Sequence, residues 1–411
     1  MSVNALQVGE TVRLQAEDKH DGSLPEALRI DRDAAVEGPI SPMTIDTMAG
    51  TFEVLGQTIS VGSDTLFDNS IQPASLAGLT DGEYVEVDGF IAADGSVHAT
   101  RIEPAAKTDP LRVTGKIAAL DSAAKTFTIN NLTVLYDTAT LSGFDANGPA
   151  NGNLVEAQGA SLNASMQLVA SNVALRRFDD QETESADHVE VEGLVTNFVS
   201  ATDFTVNDQE VTTNASTQFE GGAAADIALN VKLEVEGKVD SNGVLVADRV
   251  NLRGEANVAM DGDIDAIDTT ANTLTMLGIN VSVSTFTGFD DRSPEEDRYL
   301  SLSKLHVGDH VEIRGVATSS NEVQATRLER RFGTATTVSL RGPSADLANN
   351  PDFTILGTKI ATTTTTQFEN TTAADFFKAT TPPYVAVSGT WDGTTLTADK
   401  VTVETEAAMH H

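Results

Sequence analysis

Glutamate and arginine residues recur at matching places along the chain, and they are the first candidates for a shared chemical role. In each pair, a Glu lies in a stretch of alternating apolar and polar residues, and an Arg follows beyond a predicted turn. The pairs are Glu86 with Arg101, Glu236 with Arg249, and Glu312 with Arg327. Since the midpoint of each pair falls on turn-forming residues, we expect Glu and Arg to face each other across an antiparallel hairpin. Asn172 and Ala386 replace one partner in two further places, which favours a structural ion pair over a catalytic group.

Two acidic segments form a second group of candidates, because carboxylate oxygens are the ligands that Ca²⁺ prefers. Their acidic residues are Asp179, Asp180 and Glu182 in the first, and Asp290, Asp291, Glu295 and Glu296 in the second. We favour solvated loops that increase solubility, with weak Ca²⁺ binding as the open alternative. The stretch Asp261-Gly262-Asp263 begins like an EF-hand loop, but Ala266 stands where that loop needs glycine.

The remaining sequence offers little for catalysis. Cys is absent, which excludes thiol nucleophiles, thiolate metal sites and disulfides. The His residues are dispersed, and no nucleophile elbow or phosphate-binding glycine loop occurs at a strand–helix junction. We therefore predict a protein that is not an enzyme and has no cofactor. A hydrolase that uses paired carboxylates stays an alternative, because the chain is so acidic.

The charge of the chain limits its partners. There are 26 Lys and Arg against 61 Asp and Glu, which gives a formal net charge of −35. Such a charge repels phosphate backbones, so nucleic acid is not an expected partner. Membrane insertion is not expected either, because no apolar run approaches the roughly 18 residues of a membrane span.

The elements that must position these residues occur as internal repeats. A strand-like motif of alternating apolar residues that ends in glycine occurs five times. Its glycines are Gly89, Gly159, Gly237, Gly315 and Gly389. Before the motif, each copy has an earlier glycine-ended strand and a Thr-Phe-type strand, and after it an Ala-x-Arg-like strand. About five short strands per copy favour a small closed barrel, since closure removes exposed strand edges.

The repeats divide the chain into predicted domains. Residues 1–35 hold only a late hairpin and form a partial repeat. The five complete repeats, and a tail that resembles a purification tag, are 36–107, 108–180, 188–255, 256–332, 333–405 and 406–411. The predicted fold is all-β, a tandem array of small five-stranded antiparallel β-barrels joined by short acidic linkers. Short helices are expected only near residues 73–79, 223–229 and 372–377.

These motifs resemble the bacterial domain of unknown function family 5666. The resemblance rests on the glycine-ended strand, the Thr-Phe-Thr-aliphatic strand, the Val-Glu-Val-x-Gly strand and the closing Ala-x-Arg-aliphatic strand. It covers nearly the whole chain. It implies that each barrel is OB-like and that the protein is exported or associated with the bacterial envelope, and it implies no catalytic residues.

Together these features predict a non-catalytic modular scaffold or interaction protein of the bacterial envelope or extracellular space, whose signal peptide is absent from this sequence. A protein or a glycan is the expected kind of partner. Two alternatives stay open: a glycan- or Ca²⁺-binding module, and a structural subunit that assembles head to tail through the partial repeat. The hairpin at residues 6–30 either packs on the first complete repeat, is poorly ordered, or accepts a strand from another chain. We expect packing within the chain, because the joining segment 31–35 is short.

Overall fold

The computed structural model describes residues 6–17, 26–176, 189–240, 242–253, 256–284, 287–295, 297 and 299–404. The chain forms two compact units, residues 1–254 and residues 255–411. The described residues are almost entirely strands and turns, and their one α-helix has four residues. The predicted all-β tandem repeat is therefore confirmed, as is the low helix content. None of the helices in the described residues is long and apolar enough to cross a membrane.

The first unit contains an N-terminal hairpin and three complete repeats. The hairpin consists of β1 (Val12–Glu17) and β2 (Glu26–Arg32). The first repeat contains β3 (Val36–Pro39), β4 (Thr51–Val54), β5 (Gln57–Phe67), β6 (Tyr84–Ile91) and β7 (Val97–Pro104). The second contains β8 (Leu111–Lys116), β9 (Ala118–Asp121), β10 (Thr126–Ile129), β11 (Leu132–Leu135), β12 (Thr140–Ser142), β13 (Leu154–Leu162) and β14 (Leu168–Leu175). The third contains β15 (Val189–Ser200), β16 (Asp203–Val206), β17 (Gln209–Thr212), β18 (Gln218–Glu220), β19 (Lys232–Val239) and β20 (Leu245–Arg253).

The second unit contains the fourth and fifth repeats. The fourth contains β21 (Val258–Asp263), β22 (Ala266–Asp268), β23 (Thr273–Met276), β24 (Ile279–Ser282), β25 (Gly288–Asp291), β26 (His310–Ser319) and β27 (Glu322–Arg330). The fifth contains β28 (Val338–Ala345), β29 (Asp352–Ile355), β30 (Thr358–Glu369), α1 (Ala373–Phe376), β31 (Tyr384–Trp391) and β32 (Thr395–Val403). Short 3₁₀ turns lie at Leu76–Gly78, Ala224–Asp226, Leu302–Lys304 and Leu347–Asn349. The first two turns and α1 lie where short helices were predicted.

Every complete repeat uses the same parts. A first strand leads into an early hairpin, and a longer connection leads into a late hairpin. The first strands are β3, β8, β15, β21 and β28. The early hairpins are β4–β5, β10–β11, β16–β17, β23–β24 and β29–β30. The late hairpins are β6–β7, β13–β14, β19–β20, β26–β27 and β31–β32.

The early hairpins show how the sequence produces these strands. Each has apolar residues at every second position, which turn one face towards the core. The aromatic or aliphatic residue of the Thr-Phe motif is at most 1% exposed in all five repeats, as Phe52, Phe127, Phe204, Leu274 and Phe353. In four of the five repeats the intervening turn has two residues with positive φ, such as Asn207 and Asp208, as tight hairpin turns favour, and in the second repeat it has one, Asn130.

Strand pairing follows one order in each repeat. In the third repeat this order is β15-β16-β17-β20-β19, and β19 pairs again with β15. The fifth repeat has the order β28-β29-β30-β32-β31, and β31 pairs again with β28. The early and late hairpins meet through a parallel pair of strands in all five repeats. The prediction of purely antiparallel repeats is therefore wrong, because sequence alternation does not reveal the direction of a neighbour that is distant in the chain.

Sheets also run from one repeat into the next. The first strands β3 and β8 pair with each other and join the first two repeats into one 12-stranded sheet. In the second unit β21 and β28 pair in the same way. The prediction of separate barrels is therefore wrong for these four repeats. In this respect the chain resembles a β-solenoid, in which sheets pass through successive repeats. The physical reason is that pairing two first strands satisfies the hydrogen-bonding edges of both.

Candidate functional site

All five late hairpins contain a β-bulge immediately before the motif glycine. The ladder shifts register at this point in every copy. A Cβ atom on Gly237 would lie 2.1 Å from the carbonyl oxygen of Val246, and one on Gly389 would lie 2.0 Å from that of Thr397. Only glycine allows the two backbones to approach so closely, which explains why the motif ends in this residue.

The bulge changes the register of the predicted Glu–Arg pairs. Glu236 does face Arg249, and their charged groups are 3.0 Å apart. The other two predicted pairs, Glu86 with Arg101 and Glu312 with Arg327, are wrong. The observed opposite pairs are Glu86 with Glu103, Asp88 with Arg101, Glu312 with Glu329, and Arg314 with Arg327. The prediction placed the turns of these two hairpins too early and ignored the residue that the bulge inserts into one strand.

The observed register produces a line of three residues across the first strand and the late hairpin, which we call the polar row. Its members face one another on neighbouring strands. From the first to the fifth repeat, the rows are Glu37–Glu86–Glu103, Thr114–Glu156–Ala174, Glu192–Glu234–Asn251, Asp261–Glu312–Glu329 and Arg341–Ala386–Thr402. Sequence analysis missed the rows, because it could not identify which strands are neighbours.

A residue at the end of the late hairpin, or just after it, decides how the charge of each row is balanced. In the middle three repeats it is an arginine that bonds the central glutamate: Arg176 to Glu156, Arg253 to Glu234, and Arg331 to Glu312. The fifth repeat reverses the charges, with Glu404 2.7 Å from Arg341. The signal was present in the sequence, since these residues all lie six positions after the alanine of the Ala-x-Arg-like strand.

The first repeat differs, because Ala105 occupies the position of that arginine. Its row of three carboxylates has Arg112 at 3.8 Å from Glu37, and Arg101 and Arg32 at 3.2 and 3.5 Å from Glu103. Burial, followed by the nearby Glu86 carboxylate, raises the pKa of Glu37 to about 7.

Asp88 adds a further buried carboxylate beside this row. The backbone N–H and the hydroxyl of Thr11 both donate to its Oδ1 atom at 2.9 Å. Its Oδ2 atom has no hydrogen-bond partner within the described part of the chain. Burial raises the pKa of Asp88 to about 7 despite the bonds from Thr11. The first repeat therefore holds carboxyl groups that release their protons near neutral pH.

The second acidic segment meets arginines. Arg330 donates through Nε and Nη2 to the two oxygens of Asp291, at 3.0 and 2.5 Å, and through Nη2 to Glu295 at 2.8 Å. Asp290 is 3.2 Å from Arg292. Burial of Asp291 opposes its ionisation, but hydrogen bonds from Arg330 and from the backbone of Asp297 outweigh burial and lower its pKa. These carboxylates are engaged by guanidinium groups, which is not the open oxygen-rich arrangement that Ca²⁺ needs.

The remaining calcium candidates lie elsewhere. Asp179, Asp180, Glu182 and Glu296 lie outside the described residues. Within the residues that are described, no group of three or more His, Asp or Glu side chains is arranged to hold a metal ion.

The geometry defines a class of protein, an all-β chain of tandem repeats in which a bulged late hairpin carries a polar row. The family model of the domain of unknown function DUF5666 matches five successive segments, residues 37–103, 114–174, 187–251, 261–329 and 342–402. These segments cover well over half of the chain, so the protein belongs to this family. A comparison with curated proteins found no match.

Proposed function

We propose that this chain is a non-catalytic modular scaffold whose serial repeats hold a polar surface at regular intervals. One observation carries the proposal: the five repeats keep the same bulge and the same strand register, while the chemical types in the polar row change. The central residue is Glu in four rows and Ala386 in the fifth. A catalytic or ligating group that each repeat needed would not tolerate such replacement, whereas a structural ion pair would.

We further propose that each repeat works as a small barrel-like, OB-like unit. The return of the late hairpin to the first strand in the third and fifth repeats supports this idea. The third repeat also has a core of its own, whereas the first and second repeats share one core and the fourth and fifth repeats share another. In the third repeat the core includes Val191, Phe204, Leu233 and Val250, each at most 2% exposed. Cores that continue from one repeat into the next stabilise neighbouring repeats through their shared interfaces.

The proposed location is the bacterial envelope or the extracellular space. The high negative charge supports solubility in such a compartment, and the family resemblance points the same way. The test is fractionation of cells that express the complete gene product with its own N-terminal region. Recovery in the periplasm, at the surface or in the medium is expected, and recovery only in the cytoplasm would contradict the proposed location.

Calcium titration separates the scaffold from the binding module. As a scaffold, the protein should keep its melting temperature within about 1 °C in millimolar CaCl₂, with MgCl₂ as the control. A rise of more than about 3 °C that is specific to Ca²⁺ would instead establish a binding module. A variant with Asp179→Asn, Asp180→Asn and Glu182→Gln would then show whether the first acidic segment is the site.

A further inference from the structure

The N-terminal hairpin is built like the late hairpins of the complete repeats. Its ladder shifts register between Gln15 and Ala16, at the place where the complete repeats have their bulge. The residues of β1 and β2 therefore correspond one by one to those of β6 and β7. The matching opposite pairs are Leu14–Ile30 with Val87–Ile102, and Gln15–Arg29 with Asp88–Arg101.

The complete repeats show what covers such a hairpin. In each of them an aliphatic residue of the first strand faces the apolar residue two positions before the motif glycine. The facing pairs are Val36–Val87, Val113–Ala157, Val191–Val235, Met260–Ile313 and Leu340–Val387. Every one of these residues is at most 2% exposed. The same interface thus occurs five times, with one register and one type of partner.

The N-terminal hairpin leaves the same apolar positions uncovered. Val12 and Leu14 correspond to Val85 and Val87, which are fully buried. In the hairpin, Val12 is 43% and Leu14 is 57% exposed. No first strand pairs with β1 in the described residues, since the ladder of β1 contains β2 alone.

Contacts with the first repeat hold the base of the hairpin without covering its strands. Thr11 donates to Asp88 as described above, and the Thr100 hydroxyl donates to the Gly9 carbonyl at 2.7 Å. Arg101 donates to Gln7 at 2.5 Å. These bonds involve residues before β1, so the hairpin is anchored within the chain while its apolar face stays accessible.

The charge beside this face selects the kind of partner. Arg13 corresponds to Glu86, which faces the residue before glycine in the first strand. The Arg13 side chain is 41% exposed and lies 3.5 Å from the carboxylate of Asp33. A first strand bound in the usual register would place its residue before glycine opposite Arg13. An acidic residue there, such as Glu192, would be attracted, and an arginine would be repelled.

We propose that the N-terminal hairpin is a docking site for the early part of a repeat carried by another polypeptide. The partner has a first strand of the aliphatic–acidic–glycine type, followed by a Thr-Phe hairpin. Binding adds the first strand to the free edge of β1, covers Val12 and Leu14, and completes a sixth repeat from two chains. This interaction surface goes beyond the scaffold role, because it gives the chain a defined partner.

The test uses a labelled synthetic peptide of residues 189–212, which spans the first strand and early hairpin of the third repeat. Fluorescence anisotropy measures its binding to the full chain. Saturable binding is expected, and Leu14→Asp should weaken it at least tenfold, because an aspartate would be buried against the aliphatic first strand. Leu14 is exposed in the free protein, so the variant should keep the melting temperature of the parent chain.

A charge exchange tests the register. The peptide with Glu192→Arg should bind the parent chain about three- to fivefold more weakly. Arg13→Glu in the full chain should reverse this preference, so that the Glu192→Arg peptide becomes the better ligand. Hydrogen exchange of β1 and β2 should slow on binding the parent peptide.

Three results would overturn the proposal. The first is no binding at peptide concentrations up to about 1 mM, the weak limit of specific association. The second is binding that neither Leu14→Asp nor Arg13→Glu alters, which would place the peptide elsewhere. The third is a dimer of the full chain that Leu14→Asp dissociates, which would show that a second copy of the chain occupies the hairpin.

Discussion

The first and fourth repeats carry the same acidic row, but they balance its charge differently. The carboxylates Glu37, Glu86 and Glu103 face one another in the first repeat, as Asp261, Glu312 and Glu329 do in the fourth. In the fourth repeat Arg331 bonds all three, at 2.8 Å to Asp261 and 3.1 Å to Glu329 as well as to Glu312.

Ala105 takes the place of Arg331 in the first repeat. Strand register thus aligns carboxylates in both repeats. The residue six positions after the motif alanine determines whether one arginine bonds all three carboxylates, as in the fourth repeat, or separate arginines lie near the ends of the row, as Arg112 and Arg101 do in the first. The difference shows that this fold tolerates a concentration of negative charge and adjusts its cost locally, through protonation in one repeat and through arginine in the other.

The largest expected effect is an opposite response of the two regions to pH. The raised pKa values of Glu37 and Asp88, both about 7, lie above the values of an unfolded chain. Between about pH 4 and 7 the unfolded chain releases protons that the folded repeat keeps. The free energy of unfolding of the first repeat should therefore fall as pH rises through this window, by a total on the order of 3 kcal/mol.

The fourth repeat should respond in the other direction. The pKa of Asp291 is lowered, so its contribution to stability is present above about pH 4 and is lost as pH falls further. Hydrogen exchange of peptides from β3 and β6, measured at several pH values and corrected for intrinsic rates, tests the first repeat. Fluorescence of Trp391, the single tryptophan, follows the second unit. Asp88→Asn should flatten the response of the first repeat, and a first repeat that gains stability towards pH 8 would refute the protonated row.

The next effect concerns Arg331. Replacing it with Met should destabilise the second unit by about 1–2 kcal/mol at pH 8. Three facing carboxylates lose their shared partner, but the Arg331 side chain is 39% exposed and Arg314 and Arg292 still pair with Glu312 and Glu329. Urea unfolding followed by Trp391 fluorescence measures the change. Lys304→Met removes a cation of similar exposure that pairs with one carboxylate, that of Asp297 at 2.6 Å, and serves as the matched control with an expected cost below about 1 kcal/mol. Equal losses for the two variants would show that the row does not depend on Arg331.

The reverse substitution should improve the first repeat. Ala105→Arg places a guanidinium where Arg331 lies in the fourth repeat, so the pKa of Glu37 and Glu86 should fall towards their ordinary values. We expect about 1 kcal/mol of added stability at pH 8 and no gain at pH 5, measured by hydrogen exchange of β3 and β6. Ala105→Gln, which has similar length and no charge, is the control. A gain of the same size with Gln would attribute the effect to packing.

The sequence was a good guide to features that depend on neighbouring residues. Apolar alternation and turn residues predicted five repeats, their strands and the short helices near Leu76 and Phe376, because these features form within a few residues. The joining of β3 to β8 and the parallel pairs were not predictable in this way. They depend on which strand edges meet after folding, and no local pattern records that.

In the candidate site too, the sequence predicted some single-residue contacts and missed others. The sequence identified Glu236 and Arg249 as neighbours, but it placed the partners of Glu86 and Glu312 two residues too early. Treating Gly89 as the site of a bulge would have corrected one of these residues, since a glycine inside a strand pattern often marks one. The other residue came from placing the turn too early. The acidic rows needed knowledge of three neighbouring strands and could be seen only in the structure.

The smallest expected effect comes from comparing an exposed and a buried ion pair within the third repeat. Its late hairpin carries two Glu–Arg pairs, and they differ in exposure. Arg249 and Glu236 have side chains that are 42% and 26% exposed, whereas those of Arg253 and Glu234 are 20% and 7% exposed. Arg249→Ala should cost less than about 1 kcal/mol, because solvent screens the pair and the freed carboxylate can hydrate.

Arg253→Ala is the matched variant, four residues further along the same strand. It should cost about 1–2 kcal/mol more than Arg249→Ala, because the Glu234 carboxylate is left almost buried, and burial already raises its pKa despite the bond from Arg253. Hydrogen exchange of peptides from β15 and β19 gives both free energies. If both variants lose the same free energy of unfolding, exposure would not control how much these ion pairs stabilise the repeat. The contrast between the first and fourth repeats would then need a cause other than the arginine beside the row.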